Sequence, residues 1–190
     1  GLFGLMYGLH PTYFYLIKSA ATSYPSQFTE TLHEQGYHAR VFTSSNLDGF
    51  SLKSMFFSHV GKDDYHADAS DDVLVKKYIA SLKAQDTRRF DFLFLTSSHA
   101  SYNYPAEYAR FKPLPVVEGG YALDRQSDAA PYKNDYYNSL YYTDALIGKV
   151  LAAADKQGLL KNTWVIITGD HAEEFNENGL GYWGHGSNFS

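Results

Sequence analysis

The chain predicts an α/β fold in three layers, α/β/α, around a mixed, mainly parallel sheet. Three observations carry that prediction. Short apolar runs bounded by turn residues recur at 37–43, 90–96 and 164–167. Helical spacing of apolar side chains fills 71–85 and 134–157 between them. Each run also opens into a polar loop rich in Ser, Asp, Asn or His.

Taken in order, the aromatic-rich stretch 6–15 reads as a loop, and a helix over 26–35 follows, closed by Gly36. Phe28, Leu32 and Gln35 lie near one face of that helix. Tyr37, Ala39 and Val41 then alternate, and with Phe42 beside Val41 the strand 37–43 is suited to cover on both sides. Residues 44–49 form a loop at its carboxyl end. A short helix over 52–57 and a polar loop over 61–70 lead into helix 71–85, where Val73, Leu74, Tyr78, Ile79 and Leu82 recur at helical spacing. Asp68, Asp71 and Asp72 suit a helix first turn. Together with Asp63, Asp64, His59 and His66 they also offer a weaker alternative, a metal cluster.

The strand over 90–96 comes next. The segment 102–132 is punctuated by Pro105, Pro113, Pro115, Pro131 and Gly119-Gly120, and reads as irregular structure of the kind that covers a substrate. Helix 134–157 carries Leu140, Thr143, Ile147, Val150, Leu151 and Ala154, and Gly158 ends it. Trp164-Val165-Ile166-Ile167, β-branched and bounded by Asn162-Thr163 and Gly169, predicts a buried strand.

That last run opens directly into Thr168-Gly169-Asp170-His171, followed by Glu173, Glu174, Glu177 and Gly184-His185-Gly186. Open α/β sheets bind ligands beyond the carboxyl ends of their strands. An Asp and a His placed there can offer a carboxylate and an imidazole to one divalent cation, and the later glycines allow a loop that returns His185. The strand 90–96 ends in Ser97-Ser98-His99, so His99 belongs to the same sheet edge. A solvated loop after 167 and a backbone-capping His99 use the same residue types, and both alternatives stand on spacing alone.

Composition narrows the function. With 44% hydrophobic and 19% charged residues, 190 residues can bury a core as one domain. A net charge of −5, with Lys76-Lys77 and Arg88-Arg89 as isolated pairs, argues against a nucleic-acid surface. The absence of cysteine excludes disulfides, and no run approaches the ~18 apolar residues of a membrane span. The 17 tyrosines crowd the N-terminal segment and the 102–142 region, where phenols suit a sugar- or lipid-binding wall.

Gly169-Asp170-His171 with Glu173 and Gly184-His185-Gly186 resembles the metal loop of the alkaline phosphatase superfamily, in its sulfatase-like and phosphoethanolamine-transferase branches. Ser97-Ser98-His99 with Tyr104-Pro105 resembles the Gly-Ser-His-Gly-Pro loop of those transferases. The run from Asn134 into Tyr142-Thr143-Asp144 is similar to their helix ending in Tyr-Thr-Asp, and the opening Gly1-Leu2-Phe3-Gly4-Leu5-Met6-Tyr7-Gly8-Leu9 is similar to a segment of YejM-type inner-membrane sulfatase-like proteins.

The resemblance implies an alkaline phosphatase-like fold, with Asp170 and His171 as ligands of a divalent metal (Zn, Mn, Mg or Ca). His99 and His185 would face the phosphoryl or sulfuryl group of a sulfate or phosphate ester, or hold a second metal. It also implies an upstream Thr, Ser or modified Cys nucleophile and an acidic ligand that precede this segment. The chain is therefore expected to be part of a longer protein, anchored in the inner membrane outside residues 1–190, with this domain periplasmic and envelope lipid among its partners. Of the internal hydroxyls, Thr12, Ser23 and Ser97 lie in no nucleophile-like turn. Ala172 replaces the family's usual Gly, which matters only where φ is positive. The rival expectation is a non-catalytic regulatory or lipid-sensing domain; a third is an isolated interaction module.

Overall fold

The computed structural model describes residues 1–20, 24–83, 88–116 and 123–186, without the side chain of Phe50. They divide into two compact units, Gly1–Leu95 with Val150–Ile166 and Thr96–Lys149 with Ile167–Ser190.

The first unit is built on a parallel sheet. Strand β1 (His38–Thr43) lies between β2 (Tyr65–Ala67) and β3 (Arg89–Phe94). It runs in register with β3 from His38↔Arg89 to Thr43↔Phe94, and with β2 from Val41↔Tyr65 to Thr43↔Ala67. Because successive strand residues face opposite sides, Val41 and Phe42 head different cores, and both are fully buried. Val41 packs with Leu2, Phe3 and Met6 of α1 (Leu2–Tyr7) and Met55 and Phe56 of α4 (Leu52–Phe56). Phe42 packs with Leu74 and Tyr78 of α5 (Asp71–Ser81) and Ala154 near the end of α6 (Ala130–Lys156). Helices therefore cover both faces, and the fold is α/β, as the two-sided apolar pattern of the strand predicts. On the α5 side, Arg40 and Asp91, paired across β1 and β3, form a two-pronged ion pair at 2.9 Å that also takes the Tyr78 hydroxyl at 3.0 Å.

Local signals place the helix ends. Ser70 accepts the Val73 N–H at 3.4 Å to start α5, with Asp71 and Asp72 in its first turn. After α3 (Gln27–Glu34), Gly36 takes a left-handed φ of 75° that a side chain would resist.

Several expectations need correction. The 6–15 segment is helical rather than loop: α1 closes at Gly8, Pro11–Tyr13 forms a tight turn that Pro11 opens, and α2 (Phe14–Lys18) follows, with Phe3, Phe14 and Ile17 gathered on one core. The polar loop 61–70 contains β2, too short for an alternation to register. Helix α5 ends at Ser81, and residues 84–85 of the expected helix, like Gly119-Gly120 and Ser23, lie outside the described residues. Helix α6 begins at Ala130 rather than 134. Pro131 reads as a breaker, yet it sits in the first turn, where its missing N–H is harmless.

The largest correction concerns 164–167. No strand forms there: the run has no ladder partner among the described residues, and Trp164 and Ile166 are 96% and 80% exposed. An apolar β-branched run states a preference, but a strand exists only where a second backbone satisfies its N–H and C=O groups.

In the second unit, Asn138 of α6, fully buried, accepts the Phe111 N–H at 2.7 Å and donates to the Phe111 carbonyl at 3.1 Å, tying the proline-rich segment onto the helix. Tyr104 bonds to Asp135 on the preceding turn. The segment read as irregular is thus held by specific side chains. A two-stranded antiparallel hairpin, β4 (Glu174–Phe175) and β5 (Trp183–Gly184), completes the unit.

Candidate metal centre

The hairpin register builds the site. Pairing of Glu174 with Gly184 sets the preceding Glu173 opposite the following His185, and the Nδ1 of His185 lies 3.3 Å from Glu173 Oε2. The turn that allows this uses positive φ at Asn176, Gly179, Gly181 and Gly184. Asn176 closes it by accepting the Gly181 N–H at 2.7 Å, and Arg125 Nε donates to the Leu180 carbonyl at 3.0 Å.

His171 stacks on His185 with ring centroids 4.3 Å apart, and ligand atoms of His171, Glu173 and His185 all lie within 4.8 Å of one another. His99 approaches from the loop after β3, its ring centroid 5.2 Å from that of His185. Asp170 stands beside the group, its Oδ1 3.7 Å from His171 Nε2. Four sequence candidates, His99, Asp170, His171 and His185, therefore gather in one unit.

The hydrogen bonds orient these groups. His171 Nδ1 faces the Ala172 carbonyl at 2.9 Å and His99 Nδ1 the Ala100 carbonyl at 2.6 Å. A ring N–H donated to a carbonyl leaves the lone pair of the neutral imidazole on Nε2, the form a metal meets. Glu173, whose side chain is only 4% exposed, accepts the Tyr102 hydroxyl on Oε1 at 2.9 Å, which turns Oε2 toward His185. Burial, and then the Glu173 charge, raise the pKa of the neighbouring Tyr136 phenol. A nearly buried carboxylate flanked by imidazoles has a strong incentive to bind a cation, because burial penalises its charge unless it is neutralised. Two imidazoles and a carboxylate are donors that suit Zn and also accept Mn; Mg and Ca prefer oxygen.

Glu173 and Tyr102 are the contributors that spacing did not single out as site residues. The turn 176–182, with positive φ at Asn176, Gly179 and Gly181, joins Glu174-Phe175 to Trp183-Gly184 in the register that makes residues 173 and 185 neighbours. Ala172 is not among the described positive-φ residues, so the Gly-to-Ala departure there introduces no strain.

The alternative cluster does not assemble among the described residues. His59 pairs with Glu30 at 2.8 Å, Asp64 with His38 at 2.8 Å and Asp68 with Lys77 at 3.2 Å, while His66 packs on Phe42. Burial, together with Lys77 and Arg40, holds His66 below its ordinary pKa. Of the candidate hydroxyls, Ser97 is buried and Thr12 lies beside His10 at 3.0 Å. In the first unit, the carboxyl ends of β1 and β2 open a cavity of about 350 Å³ lined by Ser44, Asn46, Asp48, Tyr65 and Asp68. Among the described residues no helix is long and apolar enough to cross a membrane.

No curated protein matches the chain significantly. Among solved structures, the lipoteichoic acid synthase LtaP from Listeria monocytogenes shares the fold. It superposes with a TM-score of 0.57 at 17% identity, over 87% of this chain and 43% of that one. The chain therefore spans less than half the length of that structure. The family model described as Sulfatase matches residues 1–190, the whole length, and the chain belongs to the Sulfatase family.

Proposed function

We propose that this chain carries the metal-holding and substrate-facing residues of a metal-dependent hydrolase or phosphotransferase acting on sulfate or phosphate esters. The observation that carries the reading is the convergence of His171, Glu173 and His185 on one point, with His99 and Asp170 beside it. His171, Glu173 and His185, whose ligand atoms lie within 4.8 Å of one another, would hold a divalent cation, with Asp170 beside His171 as a further carboxylate; the cation, when bound, would supply charge neutralisation on nonbridging oxygens and acidify a hydroxyl nucleophile. His99, beside that group, presents an imidazole to phosphoryl or sulfuryl oxygens or to a leaving group. Tyr102 and the Ala172 carbonyl fix the orientation of the carboxylate and of His171.

The nucleophile belongs to residues outside 1–190. The chain alone is accordingly expected to turn over neither aryl sulfate nor aryl phosphate. LtaP, named a lipoteichoic acid synthase, shares the fold, which supports a phosphate ester as the substrate class. The opening residues 1–9 and the metal loop support a YejM-type inner-membrane protein whose sulfatase-like domain faces the periplasm.

The test is metal stoichiometry by equilibrium dialysis for the wild type, Asp170→Asn, His171→Ala and His99→Ala. Near one metal per chain, lost or weakened at least tenfold in His171→Ala and Asp170→Asn but kept in His99→Ala, is expected. No metal in any of them would favour the non-catalytic, lipid-sensing domain instead.

A further inference from the structure

Tyr136 of α6 stands beside the metal centre, in the same unit, and has no part in the chemistry assigned so far. Its ring centroid lies 5.5 Å from that of Tyr102, whose hydroxyl holds Glu173, and 5.4 Å from that of Phe175, two residues beyond Glu173 in the chain. The Tyr102 and Phe175 rings are themselves 6.4 Å apart, and both residues are buried. The three rings therefore close on one another, and Tyr136 is seated against the side chains that set the position of Glu173.

The backbone of Tyr102 shows how firmly that seat is built. Its φ is 28°, a left-handed value that a bulky residue adopts only where its surroundings over-determine it. Glu173 at its hydroxyl and the Tyr136 and Phe175 rings at its side supply that constraint.

The two phenols differ at their tips. The Tyr102 hydroxyl donates to Glu173, whereas among the described residues the Tyr136 hydroxyl makes no hydrogen bond, and it is not sealed from solvent. Burial, and then the charge of Glu173, raise its pKa, so the phenol keeps its proton at neutral and mildly alkaline pH. A ring held on three sides with an open O–H at its tip is a positioned donor. Glu173 repels an anion placed next to it, but a cation that neutralises the carboxylate removes the repulsion and leaves the O–H free to meet an anionic oxygen.

We propose, on the metal-centre reading given above, that Tyr136 contacts the substrate and donates its hydroxyl hydrogen to a nonbridging oxygen of the sulfuryl or phosphoryl group.

The test is equilibrium dialysis of radiolabelled inorganic phosphate against the full chain, with manganese and in EDTA, beside a separate measurement of manganese affinity. Wild type should bind phosphate with manganese and lose it in EDTA. Tyr136→Phe, which keeps the ring and removes only the donor, should weaken phosphate binding about tenfold while manganese affinity and melting temperature stay at wild-type values. Tyr141→Phe, at an exposed phenol farther along α6, should bind phosphate as wild type does. Phosphate affinity unchanged in Tyr136→Phe, with weakening only in Tyr136→Leu, would reduce the residue to packing and overturn the proposal while the metal centre stands. The proposal is equally overturned by an equal loss in Tyr141→Phe, by phosphate binding that persists in EDTA, or by a manganese-loaded wild type that takes up no phosphate. A wild type that binds no manganese would overturn the metal-centre reading and this contact with it.

Discussion

Gly181 shows how much of the candidate site depends on single residues far from its chemistry. Its φ is 84°, and a Cβ there would meet Arg125 Cγ at 2.8 Å, the side chain whose Nε holds the Leu180 carbonyl. Arginine is flexible and can move aside; the backbone angle cannot relax so readily. Gly181→Ala is expected to cost about 1–2 kcal/mol in a denaturant titration. If the hairpin shifts with it, the distance between residues 173 and 185 grows, and metal affinity falls along with stability. Glu173→Gln separates the two effects, because the amide keeps an acceptor for Tyr102 but removes the charge. Metal affinity should drop by about tenfold or more with little change in melting temperature, and dialysis beside a thermal melt reads both.

At the scale of elements, the first unit carries an acid-sensitive contact between α3 and the segment after α4. Glu30 lies 2.8 Å from His59 Nε2 and accepts Ser58 Oγ at 3.1 Å, while His33 stacks on His59 at 3.9 Å. The His59 hydrogen bond, against some burial, lowers the Glu30 pKa from 4.5. A carboxylate with a depressed folded pKa contributes stability above its unfolded pKa and loses it as pH falls through the folded value. The wild-type melting temperature should therefore fall below pH 4.5 with an extra slope that Glu30→Gln lacks, and the two curves should converge at the acid end. In the second unit the corresponding anchor is Asn138. Alanine there orphans the Phe111 N–H and carbonyl together, which costs about 2–4 kcal/mol in urea unfolding. A loss below 0.5 kcal/mol would show that water replaces the amide without penalty.

For the whole molecule, metal binding is a stability term. A ligand present at a hundred times its Kd adds about 2.7 kcal/mol to folding when it binds only the native state. Zinc or manganese should raise the wild-type melting temperature over the EDTA value and leave His171→Ala unmoved. An equal rise in that variant would place the cation elsewhere.

At this scale, too, the limits of the primary sequence become clear. Local chemistry determined the parts whose physics is local. The first-turn acids Asp71 and Asp72, the turn glycine at Gly36 and the long apolar spacing of α6 name their own structure, and the two-sided apolar strand at Val41 and Phe42 predicts helices on both faces. Gly169-Asp170-His171 and His185 marked the candidate site through their resemblance to a family's metal loop, since spacing alone left a solvated loop equally open. Tertiary structure decided whatever needs a partner distant in the chain. Trp164-Val165-Ile166-Ile167 has every preference of a strand and forms none, because a ladder requires a second backbone. β2 forms from Tyr65-His66-Ala67 with little preference at all, because β1 offers one. Glu173 joins His171 and His185 through hairpin register, which is set by which backbone groups pair across the turn, a geometry that residue types alone do not encode.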